Sequence, residues 1–175
     1  MPQYFDRFIN LVADVELSAA FDDSIRQLNE LDRSLLTGLD GKRYEPDKWK
    51  VKDIFQHLID FERILSYRSL LFARGEGSTP QSIDQNLIAR NSQANRRTID
   101  ELIEELKTVR LATASLYDGF DEETLLNKGI NWKYEISVLA MGFNIIGHQI
   151  HHLKVVEEKY YPLLHEKQSV HFANK

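Results

Sequence analysis

Residues 137–160 read SVLAMGFNIIGHQIHHLKVVEEKY. Val138, Leu139, Phe143, Ile146, Ile150, Leu153 and Val156 recur at intervals that keep one side of a 3.6-residue spiral apolar, which predicts a long helix from about Ser137 to about Tyr160. Pro162, just beyond, cannot continue it. Within this run His148 and His152 are four positions apart, so one face of the helix presents both imidazoles about one turn from each other.

Three further segments carry the same period. Phe5, Phe8, Ile9 and Val12, continued from about Val15 by Leu17, Phe21, Ile25, Leu28, Leu31 and Leu35, predict a first helical region, with Asp14 as a cap for its longer part and Gly38 as its end. A second helix is predicted from Lys50 or Val51, after Pro46, to Arg74, where Gly75 supplies the left-handed conformation that closes a helix. Thr98 and Glu101 have the spacing of a capping box and announce a third long helix ending near Gly119. The connection 75–97 is the longest, with a short helix expected around Ile83 to Arg90. No segment alternates like a strand, though Gly129 to Tyr134 suits extended backbone. Four long amphipathic helices predict an all-α four-helix bundle with short additional helices in its connections. Residues 1–165 are expected to form its single domain and 166–175, which lack an apolar period, a flexible C-terminal tail.

The chain has 175 residues, no cysteine and a formal net charge of -5. A chain of this length buries roughly 70% of its unfolded surface and needs neither disulfide nor metal as a staple. A metal site, if present, is therefore expected to serve function. Without thiolates, imidazole and carboxylate are the side chains left to hold an ion. The acidic balance argues against a nucleic-acid partner, and no apolar run approaches the roughly 20 residues that span a bilayer. A soluble cytoplasmic protein is the expectation.

His148 and His152 are the strongest candidates for chemistry, because the residues bracketing them are apolar and a buried imidazole needs a polar partner or a metal. His151 points about 100° away and is expected at the surface. The spacing resembles the HExxH motif of zinc proteases, but Gln149 stands where that chemistry requires a glutamate base. His57 is a third candidate, which alone reads more readily as a core or boundary histidine. Asp60 and Glu62, shortly after it, and Asn144, one turn before His148, are candidate catalytic groups. Both carboxylates read equally well as solvent-facing charges or as partners of Arg63 and Arg68. Trp49 and Trp132 are expected to wedge helix starts.

The run Trp49 to Glu62, with Tyr67 to Gly75 and Gly147 to Val155, resembles the DinB/YfiT-like superfamily of metalloenzymes along nearly the whole chain. The resemblance implies a bundle of up-down-down-up arrangement and a divalent metal, zinc or nickel, held by His57, His148 and His152. It also implies a small-molecule substrate, with the ion activating water or a low-molecular-weight thiol for hydrolysis or thiol transfer. The alternative is a non-enzymatic stress-related binding or dimerisation module; a homodimer is compatible with both. The chain departs from many relatives at Lys50, where they carry a capping serine, and at Gln149, where they carry glutamate.

Overall fold

The computed structural model describes residues 4–165. In chain order its helices are α1 (Asp6–Ile9), α2 (Leu17–Asn29), α3 (Arg33–Gly38), α4 (Val51–Ala73), α5 (Gln85–Asn91), α6 (Ile99–Asp118), α7 (Glu122–Leu126) and α8 (Val138–Val155). A hairpin of β1 (Lys128–Asn131) and β2 (Tyr134–Ser137) precedes α8. The last helix ends in a wide π turn over Val156–Tyr160 and a 3-10 turn over Tyr161–Leu164. The tail expected over 166–175 lies outside the described residues.

Helices α2, α4, α6 and α8 form the bundle, and their side-chain partners fix their directions. Along α4 and α6 the partners advance together, Glu62 with Arg110, Ser66 with Thr113 and Ser69 with Tyr117, so these two helices are parallel. Phe21 meets Tyr117 whereas Ser24, further along, meets Arg110, which makes α2 antiparallel to α6. His57 meets His148 near the start of α4, and Leu17 lies against Gly142 at the start of α8, so α8 runs against α4 and with α2. The order is up-down-down-up. Because α4 and α6 are parallel, residues 74–98 must travel back along a helix of 23 residues, about 34 Å.

Local chemistry accounts for most boundaries. Thr98 and Glu101 make the reciprocal capping bonds at the start of α6, and Gly75 ends α4 with φ +67. Lys50 has no side-chain acceptor, so only half of a capping box forms at α4: Asp53 accepts from the Lys50 N–H at 2.9 Å. The first helical region departs from the single long element expected. It breaks after Asn29, because Asp32 accepts from the N–H groups of Ser34 and Leu35 and starts α3 afresh. Asp14 caps nothing; Glu16 precedes α2 without a side-chain cap. The segment suited to extended backbone is one arm and the turn of the hairpin.

Two apolar clusters fill the bundle. One gathers Leu28, Leu36, Phe55, Ile59, Leu102 and Leu106; the other gathers Phe21, Leu65, Phe72, Tyr117, Met141 and Ile145. Between them lies a buried polar layer. Both carboxylate oxygens of Glu62 accept from Arg110, at 2.8 and 2.9 Å, Arg110 also donates to Ser24 Oγ, and Gln149 Nε2 donates to the Ser24 carbonyl. Glu62 and Arg110 are 3% and 1% exposed, and sliding either helix by a turn would leave a charge buried without its partner. No helix among the described residues is long and apolar enough to cross a membrane.

Candidate metal centre

The antiparallel crossing of α4 and α8 sets three imidazoles face to face. His57 Nε2 and His152 Nε2 each lie 3.1 Å from His148 Nε2. Hydrogen bonding does not account for both contacts, because a ring nitrogen carries either one proton or one lone pair. Two nitrogens bound about 2.0–2.1 Å from a shared ion stand roughly 2.9–3.4 Å apart at bond angles between about 90° and 110°. The observed separations fall in that range. Among the described residues these three form the one cluster of histidine and carboxylate groups close enough to hold an ion.

The surroundings keep the imidazoles neutral. Burial lowers His57 from its ordinary 6.5 to about 4 and His152 to about 3, and His148 is pushed well below 6.5, by burial first and by its neighbouring histidines second. Neutral rings present lone pairs at pH 7 without competition from protons. His57 Nδ1 is buried and has no hydrogen-bond partner among the described residues, so packing alone orients this ring. Trp49 and Phe61 flank it, with ring centroids 4.7 and 4.3 Å away.

On the other side Phe8 stands edge-on to His148 at 5.3 Å. It comes this close because Gly147 has no side chain: a Cβ there would lie 2.0 Å from the Phe8 carbonyl oxygen. The N-terminal segment thus packs directly on the histidine helix. His151, as expected, is exposed.

A cavity of about 370 Å³ opens beside His148. Its floor includes Asn144, one turn below, whose Oδ1 is buried without a partner among the described residues. Aromatic rings from three parts of the chain, Tyr4, Phe8, Phe61 and Trp132, share its walls with Arg7 and Arg68. Of the three candidate catalytic groups only Asn144 lines this space. Asp60 accepts from Gln56 and faces a groove toward Leu87 and Ile88, where burial raises its pKa. Glu62 accepts from Arg110 in the polar layer, rather than facing solvent or pairing with Arg63 or Arg68. Gln149 likewise faces α2, away from the metal centre.

Sequence reasoning missed Trp49, Phe8 and Phe61 as walls of this centre. Phe61 is one turn after His57 and was open to inference from helix spacing. Nothing in local sequence placed Phe8, which arrives through the close approach at Gly147, or Trp49, held where its carbonyl accepts from Tyr160.

Fold and site together define a helical bundle with a three-histidine centre able to coordinate a metal ion. The model of the DinB superfamily matches residues 17–156, and the chain belongs to that superfamily. Among solved structures it is similar to YfiT from Bacillus subtilis, described as a probable metal-dependent hydrolase with an unusual four-helix bundle topology. The TM-score is 0.67 and the identity 15%, covering 92% of this chain and 88% of that one. At that identity the likeness is one of fold. No curated protein matches the chain.

Proposed function

We propose that this chain is a metal-dependent enzyme that holds zinc or nickel with His57, His148 and His152 and acts on a small molecule in the adjoining cavity. The observation that carries this reading is the convergence of three neutral imidazole nitrogens around His148, the one of the three that lines a cavity. A divalent ion held by three imidazoles keeps open positions and supplies Lewis acidity, lowering the pKa of water or a thiol so that a nucleophile is available at neutral pH.

The chain's own groups do the remaining work. Phe8, Phe61 and Trp49 exclude water from the imidazoles and hold their planes. Asn144 offers a buried acceptor one turn below His148, suited to orient a hydroxyl, amine or water. Hydrolysis and transfer to a low-molecular-weight thiol both fit such a site. A cytoplasmic homodimer belongs to the same proposal, and sedimentation and cell fractionation read it.

Metal analysis of untagged protein, before and after His148→Ala, tests the reading. One equivalent of zinc or nickel is expected, lost in the variant, followed by metal-dependent turnover in a screen of ester and amide hydrolysis against thiol conjugation. Wild-type protein that neither carries nor takes up either metal overturns it and leaves a non-enzymatic binding module in its place.

A further inference from the structure

Arg68 sits in the bundle with 7% of its surface exposed, and it lines the cavity beside His148. Its partners are neutral: Nη1 donates to Asn131 Oδ1, and Nη2 donates to the Gln81 carbonyl at 2.7 Å. A guanidinium has five N–H donors, so three are left over. Among the described residues no carboxylate forms an ion pair with it, whereas the other buried arginine, Arg110, has Glu62 on both of its prongs. Burial pushes the Arg68 pKa down, but an arginine stays charged at neutral pH. An unpaired buried cation is costly, and a site that pairs it only when loaded gains that energy as affinity.

The wall as a whole carries more positive than negative side chains. Arg7 also lines the cavity, packed over the rings of Tyr4 and Phe8, and donates to Tyr4 Oη rather than to a carboxylate. Asp84 is the one acidic residue among the described lining residues, and its Oδ1 is occupied as the cap of α5 by the N–H groups of Asn86 and Leu87. Trp132, beside the Asn131 that Arg68 holds, has φ +60, a left-handed conformation that is costly for a bulky residue and is usually left to glycine. Its indole is thereby placed on the cavity wall.

From these positions we infer that the cavity selects a small carboxylic acid whose anionic end pairs with Arg68 and whose flat apolar body lies against the aromatic wall formed by Phe8 and by Trp132 and Tyr4, whose rings touch edge-on at 5.0 Å. The inference names the substrate class for the site proposed above and rests on that reading for the chemistry, but not for the binding. Seven residues of α4 separate Arg68 from Phe61, whose ring adjoins His148, about 10 Å along the axis. The acid is therefore anchored at one end of the cavity while its reacting bond lies at the other. Arg68 acts as a specificity-determining residue, and Arg7 adds attraction at the rim.

The test uses matched pairs, phenylacetate with phenylacetamide and indole-3-acetate with its amide, titrated by calorimetry into chelator-treated and zinc-loaded protein. The metal-free arm matters because a carboxylate also ligates zinc. Roughly tenfold tighter binding of the acids is expected in both arms, as suits a charge-assisted pair. Arg68→Gln is expected to remove the preference, and Arg68→Lys to restore part of it. Equal or unmeasurable binding of acid and amide without metal, or a preference that survives Arg68→Gln, overturns the inference. Should Arg68→Gln fail to fold, the side-chain 15Nε–H resonance of Arg68 in the wild type replaces it: a shift with the acids and not the amides supports the pairing, and no shift overturns it. Zinc stoichiometry, measured on the same samples, reports separately on the metal reading.

Discussion

His57 and His148 bring their Nε2 atoms to 3.1 Å from opposite ends of the chain's order, ninety-one positions apart. Neither ring alone holds an ion; the site exists only where α4 crosses α8. Replacing either by alanine is therefore expected to weaken zinc or nickel affinity by more than roughly 100-fold, since loss of even an outer partner of a ligand commonly costs 10- to 100-fold. His151→Ala, on the exposed side of the same helix, should leave affinity within about twofold of wild type, the ordinary result for a group that does not touch the ion. Competition against a chromophoric chelator measures all three, and a His57→Ala protein with unaltered affinity would count against the three-ligand centre.

The same rings give the metal-free protein a pH dependence. His57 and His152 titrate near 4 and 3 when folded and near 6.5 when unfolded, so below 6.5 the unfolded chain takes up protons that the native state refuses. Stability is expected to be flat from pH 8 to about 7 and to fall as pH drops from about 6.5 toward 4. Urea unfolding at pH 7.5, 6.0 and 5.0 in the presence of a chelator would follow it. A variant with His57 and His152 both replaced by glutamine should show a shallower fall; an equal slope would assign the effect elsewhere.

Glu62 and Arg110 form a closed pair in the polar layer, and breaking it strands a charge. Glu62→Ala is expected to cost about 3–5 kcal/mol in denaturant unfolding. Asn144→Ala, which removes an acceptor without a protein partner, should cost far less while lowering turnover. If Glu62→Ala instead kept full stability and lost activity alone, the carboxylate would have to be returned to the catalytic groups.

Gly147→Ala probes the contact between α1 and the histidine helix. The added methyl meets the Phe8 carbonyl at 2.0 Å, backbone that cannot simply rotate away, so the segment around Phe8 must lift. Expected are a loss of about 1–3 kcal/mol, as for other overpacked sites, and faster proteolysis near the N-terminus. Unchanged stability and cleavage would show that the segment accommodates the methyl in place.

How much of this was legible in the sequence depends on the distance over which each feature is decided. The start of α6 is set by two residues three apart, Thr98 and Glu101, and the end of α4 by the φ freedom of Gly75; both are read directly. His148 and His152 share a face by helix geometry alone. His57 needed a resemblance, because its meeting with them is a tertiary event. The break at Asp32 went unread because the apolar period continues through Leu31 and Leu35 while the capping bonds overrule it. The partner of Glu62 went unread for a related reason. Helix spacing puts it near His57 in sequence, but which neighbour takes its charge is settled by Arg110, forty-eight positions away. The buried Arg68 could not be told from a surface arginine until the hairpin and residues 74–98 were seen closing over it.

The parallel run of α4 and α6 has a consequence for how such a protein diversifies. Because the chain must return the length of a helix, it crosses the open side of the site on the way, leaving Ser82 to Gln85 on the cavity wall while the histidines stay on rigid helices. Doubling such a return costs only about 0.6 kcal/mol in closure entropy. Insertions and replacements there are thermodynamically cheap, and they reshape what enters without disturbing what reacts. The topology thus separates inheritance of the reactive centre from drift in its diet.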